Sequence, residues 1–216
     1  DVYRPGAFDT VAEVFSSNPD IQVIVGNCDY INEGSETIGF LEAKYEGFEA
    51  LLRYWGWEKW HCIPQQSVFI RRSLLAQIGL FDCRYHFVMD YEMWLRIALK
   101  CDFKLVDKTL SAFRLASDTK TVANTHKMYF EEYQAFKRYR RHVSFTRSVG
   151  LTIAAKKHLS SKLLDMSEHL CLSTTKGRLS LELLSKAFLN WPLMGFNVRF
   201  LLSYLGSLLK GKNRSF

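Results

Sequence analysis

The residue pattern changes near position 117, and this change restricts the folds that are open to the chain. Before it, segments with helical and with strand-like periodicity alternate, which is typical of an α/β domain. After it, residues 124–210 show helical spacing of apolar side chains and no strand pattern. We therefore predict an α/β domain at residues 1–118 and a mostly helical extension at residues 119–216.

The elements of the first domain are predicted from periodicity and turn residues. Helices are expected at residues 5–15, 48–55, 73–78 and 90–100. Strands are expected at residues 21–25, 67–71, 103–106 and 110–114. In this interpretation Gly26 closes the first strand, and residues 31–46 are a polar loop. The first helix is expected to turn Phe8 and Val11 to one apolar face.

Charge is divided unevenly along the chain. Residues 137–216 carry 15 Lys and Arg against 3 Asp and Glu, whereas residues 1–136 are mildly acidic. The basic part is either a solvated helical surface or a surface that meets an anionic membrane. No nucleic-acid partner is expected, because no zinc finger, RNP motif or glycine-rich nucleic-acid loop accompanies the charge. The five cysteines form no CxxC pair, which indicates reduced, cytosolic thiols.

The longest apolar stretch, residues 188–209, is interrupted by polar residues and by Arg199 near its centre. A charge at the middle of a membrane span costs about 2.5–3.5 kcal/mol. The stretch therefore predicts an interfacial amphipathic helix or a packed helical pair instead of a spanning helix. We hypothesise that residues 178–212 lie on an anionic bilayer surface.

Asp90 is the strongest candidate for chemistry in the sequence. It is expected at a helix start after a loop, where an aspartate either caps backbone N–H groups or faces a cleft as a general base. For an isolated aspartate the capping role is the commoner one. Glu92 and Arg96 follow on the same helix, and we expect both to be structural, with Arg96 forming an ion pair.

Four segments form a further pattern: residues 1–7, residues 26–30, residues 64–72, and residues 79–82 followed by Asp90-Tyr91-Glu92-Met93-Trp94-Leu95-Arg96. Taken together, they resemble the acceptor-side half of family 2 glycosyltransferases with the GT-A fold. Their order and spacing match the family, and the match covers about residues 1–118. The resemblance implies a truncated GT-A, Rossmann-like domain that lacks the family's N-terminal nucleotide-binding half. We accordingly expect the chain to be the C-terminal portion of a longer enzyme.

The resemblance implies roles for particular residues. Asp90 matches the catalytic base, and Asp1 matches the last carboxylate of the metal-binding pair or its neighbour, with Mg²⁺ or Mn²⁺ as the cofactor of the full enzyme. Arg96 and Arg114 match residues that support the fold. The family often has a histidine two residues after this last arginine, and here that position is Ala116.

Several other residues are weaker candidates for the acceptor site. Gln65 and Gln66 are placed to hydrogen-bond a sugar, or are simply solvated loop residues. Trp60, in a cluster of aromatic residues at 54–61, stacks on an acceptor sugar or packs into the core.

The expected function is transfer of a sugar from a nucleotide-sugar donor to a hydroxyl of a glycan or lipid-linked acceptor, with inversion. The expected setting is synthesis of a surface or exported polysaccharide, in the cytoplasm or peripherally at the inner face of the membrane. The alternative is a non-catalytic remnant that acts as a binding or scaffolding fragment. The unmatched nucleotide-binding half and Ala116 favour this alternative for the chain alone.

Overall fold

The computed structural model describes residues 1–53, 63–115, 125–172 and 177–192. The chain divides into two compact units, Asp1–Asn124 and Thr125–Phe216. We call them the α/β unit and the helical unit and describe each by itself. The prediction of a mixed α/β fold is confirmed for the first of them.

In the described part of the α/β unit, five strands form one mixed sheet. They are β1 (Val2–Tyr3), β2 (Val23–Ile31), β3 (Thr37–Leu41), β4 (Val68–Ile70) and β5 (Lys104–Arg114). The order is β1-β5-β2-β3, and β4 also pairs with β2. Only the β2–β5 pair is parallel. With β5 along one edge of β2, the other edge is shared by β4 at Val23–Val25 and by β3 at Cys28–Ile31.

The prediction that Gly26 ends a strand is wrong, because β2 runs through it. A Cβ atom at Gly26 would lie 2.4 Å from Leu110 Cγ and 2.9 Å from the Lys108 carbonyl oxygen. The glycine therefore serves close packing of β2 on β5 instead of a turn. The pairing register shifts here, from Gly26 opposite Val106 to Asn27 opposite Thr109. This irregularity also explains why β5, a single strand, has the sequence pattern of two.

The predicted polar loop at residues 31–46 contains strand β3 and a tight turn. Asn32 closes the turn, since its Oδ1 accepts the Glu36 backbone N–H at 2.9 Å and its Nδ2 donates to Glu36 Oε2 at 2.8 Å. β3 has no fully buried residue, so it lacks the apolar alternation that identifies a half-buried strand. The loop prediction failed for this reason.

The helices of the α/β unit are α1 (Ala7–Ser17), α2 (Phe48–Leu51), α3 (Arg72–Ile78) and α4 (Met89–Ala98), with a 3₁₀ helix at Gln65–Ser67. Helices α1, α3 and α4 lie within two residues of their predicted bounds, whereas α2 ends at Leu51 and the last part of its predicted range, 48–55, lies outside the described residues. Helix α1 buries Ala7 and Val11 against the sheet. Phe8, predicted on the same apolar face, is instead 60% exposed, and its ring packs on Tyr3 with the ring centroids 4.7 Å apart.

The described part of the helical unit confirms the absence of strands expected for this region. It contains α5 (Thr125–Tyr139), a 3₁₀ helix (Arg140–His142), α6 (Phe145–Leu172) and α7 (Gly177–Asn190). Helices α6 and α7 bury leucines such as Leu163 and Leu183 between them. Buried serines also join these helices, with the Ser160 hydroxyl donating to the Ala187 carbonyl oxygen at 2.9 Å. Among the described residues, none of the helices is both long and apolar enough to cross a bilayer.

Candidate functional site

Asp90 lies in the first turn of α4, one residue inside the helix. The N-cap position is occupied by Val88, which makes no side-chain capping bond. Asp90 nevertheless bonds a backbone N–H of the first turn, as the capping alternative expects, because its Oδ1 accepts the Tyr91 N–H at 2.8 Å. Within the described residues, no side chain donates a hydrogen bond to this carboxylate, and it is partly buried. The group is therefore held by backbone alone.

The pKa of Asp90 is raised above its ordinary value. Burial is the main cause because it disfavours the charged form, and the backbone N–H groups of Tyr91 and Asp90 itself partly oppose it. A carboxylate with a raised pKa is a stronger base once it is ionised. Burial and backbone hydrogen bonds together give Asp90 the properties of a positioned proton acceptor.

The helix that carries Asp90 is fixed by a buried ion pair. Glu92 is fully buried and accepts a hydrogen bond from Arg96 Nε at 2.9 Å. The remaining nitrogens of Arg96 donate to the carbonyl oxygens of Ile78 at 2.7 Å and Leu80 at 2.8 Å. Arg96 thus joins α4 to the end of α3, at the turn where Gly79 adopts a φ of +83°. The structure shows the ion pair expected for Arg96, and its partner is Glu92.

Asp1 and Arg114 are brought together at the edge of the sheet. The Arg114 backbone N–H donates to Asp1 Oδ1 at 2.9 Å. The Arg114 guanidinium donates to the carbonyl oxygens of Asn32 at 2.7 Å and Glu33 at 2.8 Å, and to Ser35 Oγ at 2.9 Å. Arg114 therefore holds the β2–β3 turn against the end of β5.

The residues around Asp1 do not make a metal site in the described part of the chain. One Asp1 oxygen is already bonded to the Arg114 N–H. Among the described residues, no group of three or more His, Cys, Asp or Glu side chains is arranged to hold an ion. Mg²⁺ is usually bound through one or two carboxylates together with substrate phosphates. The donor set of the described residues does not fit a metal by itself.

The remaining predicted acceptor residues have different outcomes. Gln65 is exposed and Gln66 is half-buried, both in the 3₁₀ helix before β4. Trp60 with its aromatic neighbours, and also Ala116, lie outside the described residues. The same holds for most of the hypothesised bilayer-binding segment, of which residues 178–192 are described.

A buried polar cluster beside Gln66 was not predicted from the sequence. Ser67 Oγ donates to the Asn27 carbonyl oxygen at 2.7 Å and lies 2.5 Å from Ser111 Oγ. The Asn27 side chain accepts the Ala43 N–H and donates to Asp107 Oδ1. Small polar residues inside apolar strands are the only sequence signal of this cluster. The cluster ties the 3₁₀ helix to β2 and β5.

An ion pair between Arg4 and Asp29, also not predicted from the sequence, lies near the carboxyl end of β2. Arg4 Nε donates to Asp29 Oδ2 at 2.9 Å, and Arg4 Nη2 contacts both Asp29 Oδ2 and Thr37 Oγ1. The pair joins the segment after β1 to two further strands. Because Arg4 neutralises Asp29, we assign the pair to the fold and not to chemistry.

No protein-family model matches the chain, and a comparison with curated proteins finds no significant match. The hydrogen bonds and ion pairs of the described residues bring Asp1 to Arg114 and Arg96 to Glu92, and they join Asp90 to neither Asp1 nor Gln65.

Proposed function

We propose that residues 1–118 form the acceptor-side part of an inverting, family 2 glycosyltransferase with a GT-A fold. The observation that carries the proposal is Asp90, a partly buried carboxylate with a raised pKa at the first turn of α4. The sequence resemblance assigns the base of the reaction to this same residue. The ion pair between Glu92 and Arg96 supports the proposal, because it fixes the helix on which Asp90 lies.

In the proposed reaction the acceptor hydroxyl donates a hydrogen bond to the Asp90 carboxylate. The hydroxyl oxygen then attacks the anomeric carbon of the donor sugar, and its proton passes to Asp90. The bond between the anomeric carbon and the nucleotide phosphate breaks, and the nucleotide departs with the electron pair. Attack from the side opposite the leaving group inverts the anomeric configuration. Asp90 contributes general base catalysis and acceptor orientation.

The donor is a nucleotide sugar and the acceptor is a glycan or a lipid-linked saccharide. The proposed setting is assembly of a surface or exported polysaccharide at the cytoplasmic face of the membrane. The basic character of the second part of the chain supports this setting, since residues 125–216 carry 16 Lys and Arg against 5 Asp and Glu.

The first test is the Asp90→Asn substitution in the complete protein that carries this sequence. Loss of the base should lower the rate of sugar transfer by about 10²–10⁴-fold. Asn keeps an oxygen that accepts the Tyr91 N–H, so we expect the fold and the donor affinity to change little. The measurement is kcat for transfer together with nucleotide-sugar affinity by calorimetry.

The matched control is Asp9→Asn, which makes the same change in the first turn of α1 at an exposed position. This variant should keep full activity.

In the unsubstituted protein, the acid limb of the pH–rate profile should lie above the ordinary aspartate range near 3.9, since the reaction needs ionised Asp90 and its pKa is raised. Near-normal turnover of Asp90→Asn would remove Asp90 from the mechanism.

A second candidate function is a non-catalytic scaffold, and the incomplete donor set at Asp1 favours it for the chain by itself. It predicts that the 216-residue chain neither binds nucleotide nor transfers sugar in Mg²⁺ or Mn²⁺. Micromolar nucleotide binding, or turnover by this chain alone, would reject the scaffold function.

A further inference from the structure

The helical unit contains a cleft between the first half of α6, the 3₁₀ helix that precedes α6, and the end of α7. Its volume is about 330 Å³. Sites for small ligands span roughly 300–1,000 Å³, so the cleft can accept a small organic molecule. It lies far along the sequence from Asp90 and belongs to none of the groups described above.

Among the described residues, two cations line the cleft, Arg140 and Lys156, and no acidic residue does. Arg140 Nη1 donates to Thr152 Oγ1 at 2.9 Å and to Ser148 Oγ at 3.2 Å. These hydroxyls position the guanidinium without neutralising it, and Nε and Nη2 have no partner among the described residues. Lys156 also forms no ion pair or hydrogen bond with any described residue. The cleft thus holds two uncompensated positive charges.

The rest of the lining is largely apolar. Val149 and Ile153, one helical turn apart on α6, are 43% and 49% exposed, and Trp191 closes the cleft from the end of α7. Exposure of these β-branched side chains to water is unfavourable, and the neighbouring cations attract an anion. The cleft therefore suits a molecule that has both an anionic and an apolar part. Asn190, whose amide donates to the Lys186 carbonyl oxygen, completes the polar side.

We propose that this cleft binds a phosphate group carried on an apolar moiety. A phosphate monoester has a charge of about −1.5 to −2 at neutral pH, which matches the two cations. The free nitrogens of Arg140 can form paired charge-assisted hydrogen bonds with phosphate oxygens, and Lys156 supplies a second charge. The apolar moiety contacts Val149, Ile153 and Trp191. A phospholipid headgroup and a soluble aryl or alkyl phosphate share this chemistry.

The experiment measures binding of three probes to the full chain: phenyl phosphate, inorganic phosphate, and phosphatidylcholine vesicles with or without phosphatidic acid. We expect phenyl phosphate to bind at least tenfold more tightly than inorganic phosphate if the source is soluble. If the source is a lipid, we expect phosphatidic acid vesicles to bind and neutral vesicles not to. Failure of all three probes would overturn the proposal, as would equal affinity of the chain for phenyl phosphate and inorganic phosphate together with no binding to phosphatidic acid vesicles.

Matched variants separate the cleft from the general positive charge of the unit. Lys156→Gln should weaken binding of the preferred probe about tenfold, the scale of one lost charge-assisted hydrogen bond. Lys157→Gln removes the same charge from the neighbouring exposed residue, outside the cleft, and should change affinity less than twofold. Equal losses in the two variants would mean attraction to the whole basic surface and would overturn the proposal.

A second pair of variants tests the apolar wall without removing a cation. Ile153→Glu places a negative charge in the cleft, and Ala154→Glu places one on the adjacent exposed position of α6. We expect binding to be lost in the first variant and nearly retained in the second, with unchanged helix content by circular dichroism. Retained binding in Ile153→Glu would overturn the proposal. Failure of this cleft proposal would leave the sugar-transfer proposal unaffected, because the two proposals depend on different residues.

Discussion

The α/β unit and the helical unit each contain an acid–base pair at i, i+4 spacing on a helix, in opposite surroundings. In the α/β unit, Glu92 is fully buried and Arg96 is 16% exposed. In the helical unit, the side chains of Glu182 and Lys186 are 53% and 42% exposed. An exposed pair contributes under about 1 kcal/mol, whereas breaking a buried pair costs about 3–5 kcal/mol. Two pairs with the same spacing in sequence therefore contribute differently to stability, because one is buried and the other is exposed.

Arginine has a different use in the two units. In the α/β unit, three arginines (Arg71, Arg96 and Arg114) donate to backbone oxygens that are distant in sequence, and Arg71 reaches the carbonyl oxygens of Ile21 and Phe15, both at 2.7 Å. In the helical unit, the hydrogen bonds of the Arg140 guanidinium within the described residues go to nearby hydroxyls. The planar guanidinium can bond several acceptors at once, which lysine cannot do in the same geometry. The α/β unit thus uses arginine to join loops, and the helical unit keeps its positive charge near the surface.

The largest effect that this comparison predicts is that of Arg96→Ala. It should lower the free energy of unfolding of the α/β unit by about 3–5 kcal/mol, because it removes the arginine that pairs with the buried Glu92 carboxylate. Lys186→Ala, the matched change in the helical unit, should cost less than about 0.5 kcal/mol. Hydrogen exchange read by mass spectrometry reports each unit separately. Equal effects in the two units would break the comparison.

The next effect concerns glycines. Gly26→Ala should destabilise the α/β unit by about 1–3 kcal/mol, because the new methyl group overlaps Leu110 and the Lys108 carbonyl oxygen. Gly150→Ala lies within α6, where an added Cβ meets no atom within 4 Å. It should stabilise the helical unit by about 0.5–1 kcal/mol, the usual gain for replacing a helical glycine. Denaturant unfolding followed by hydrogen exchange measures both. A neutral Gly26→Ala would show that the β2–β5 irregularity can move.

The smallest effect depends on pH and is confined to the helical unit. The pKa of His158 is lowered to about 4, mainly by burial and also by the nearby Lys162, while Asp165 partly opposes the shift. The unfolded chain then binds a proton more readily than the folded one between pH 6.5 and about 4. Stability should be complete above pH 6.5 and fall by about 1–2 kcal/mol as the pH drops through this window, an amount reduced by the partial exposure of the ring.

The test for this effect is His158→Phe, which should remove that part of the pH dependence. His142→Gln, at an exposed position, is the control and should retain it. Thermal unfolding of both variants from pH 4 to 7 gives the comparison. A pH dependence that survives in His158→Phe would assign the titration to another group.

Much of the local structure could be predicted because it depends on neighbouring residues. The spacing of apolar residues predicted helices α1, α3 and α4 and the helical character of the second unit. The spacing also indicated that Arg96 would form an ion pair. It did not show that Glu92 is the partner, or that the other nitrogens of Arg96 reach the end of α3. The contacts of Arg96 with Ile78 and Leu80 join residues 18 and 16 positions apart and depend on how α3 and α4 pack.

Residue spacing and composition were enough to predict the alternation of elements, the division into an acidic and a basic part, and the position of Asp90 near a helix start. Three features needed the folded structure: Gly26 lies within a strand, residues 37–41 form β3, and Val88 is the cap residue of α4. The physical reason is that helical periodicity is local, whereas strand extent and side-chain burial depend on partners far along the chain. Gly26 shows this most clearly, since its role follows from Leu110, 84 residues away.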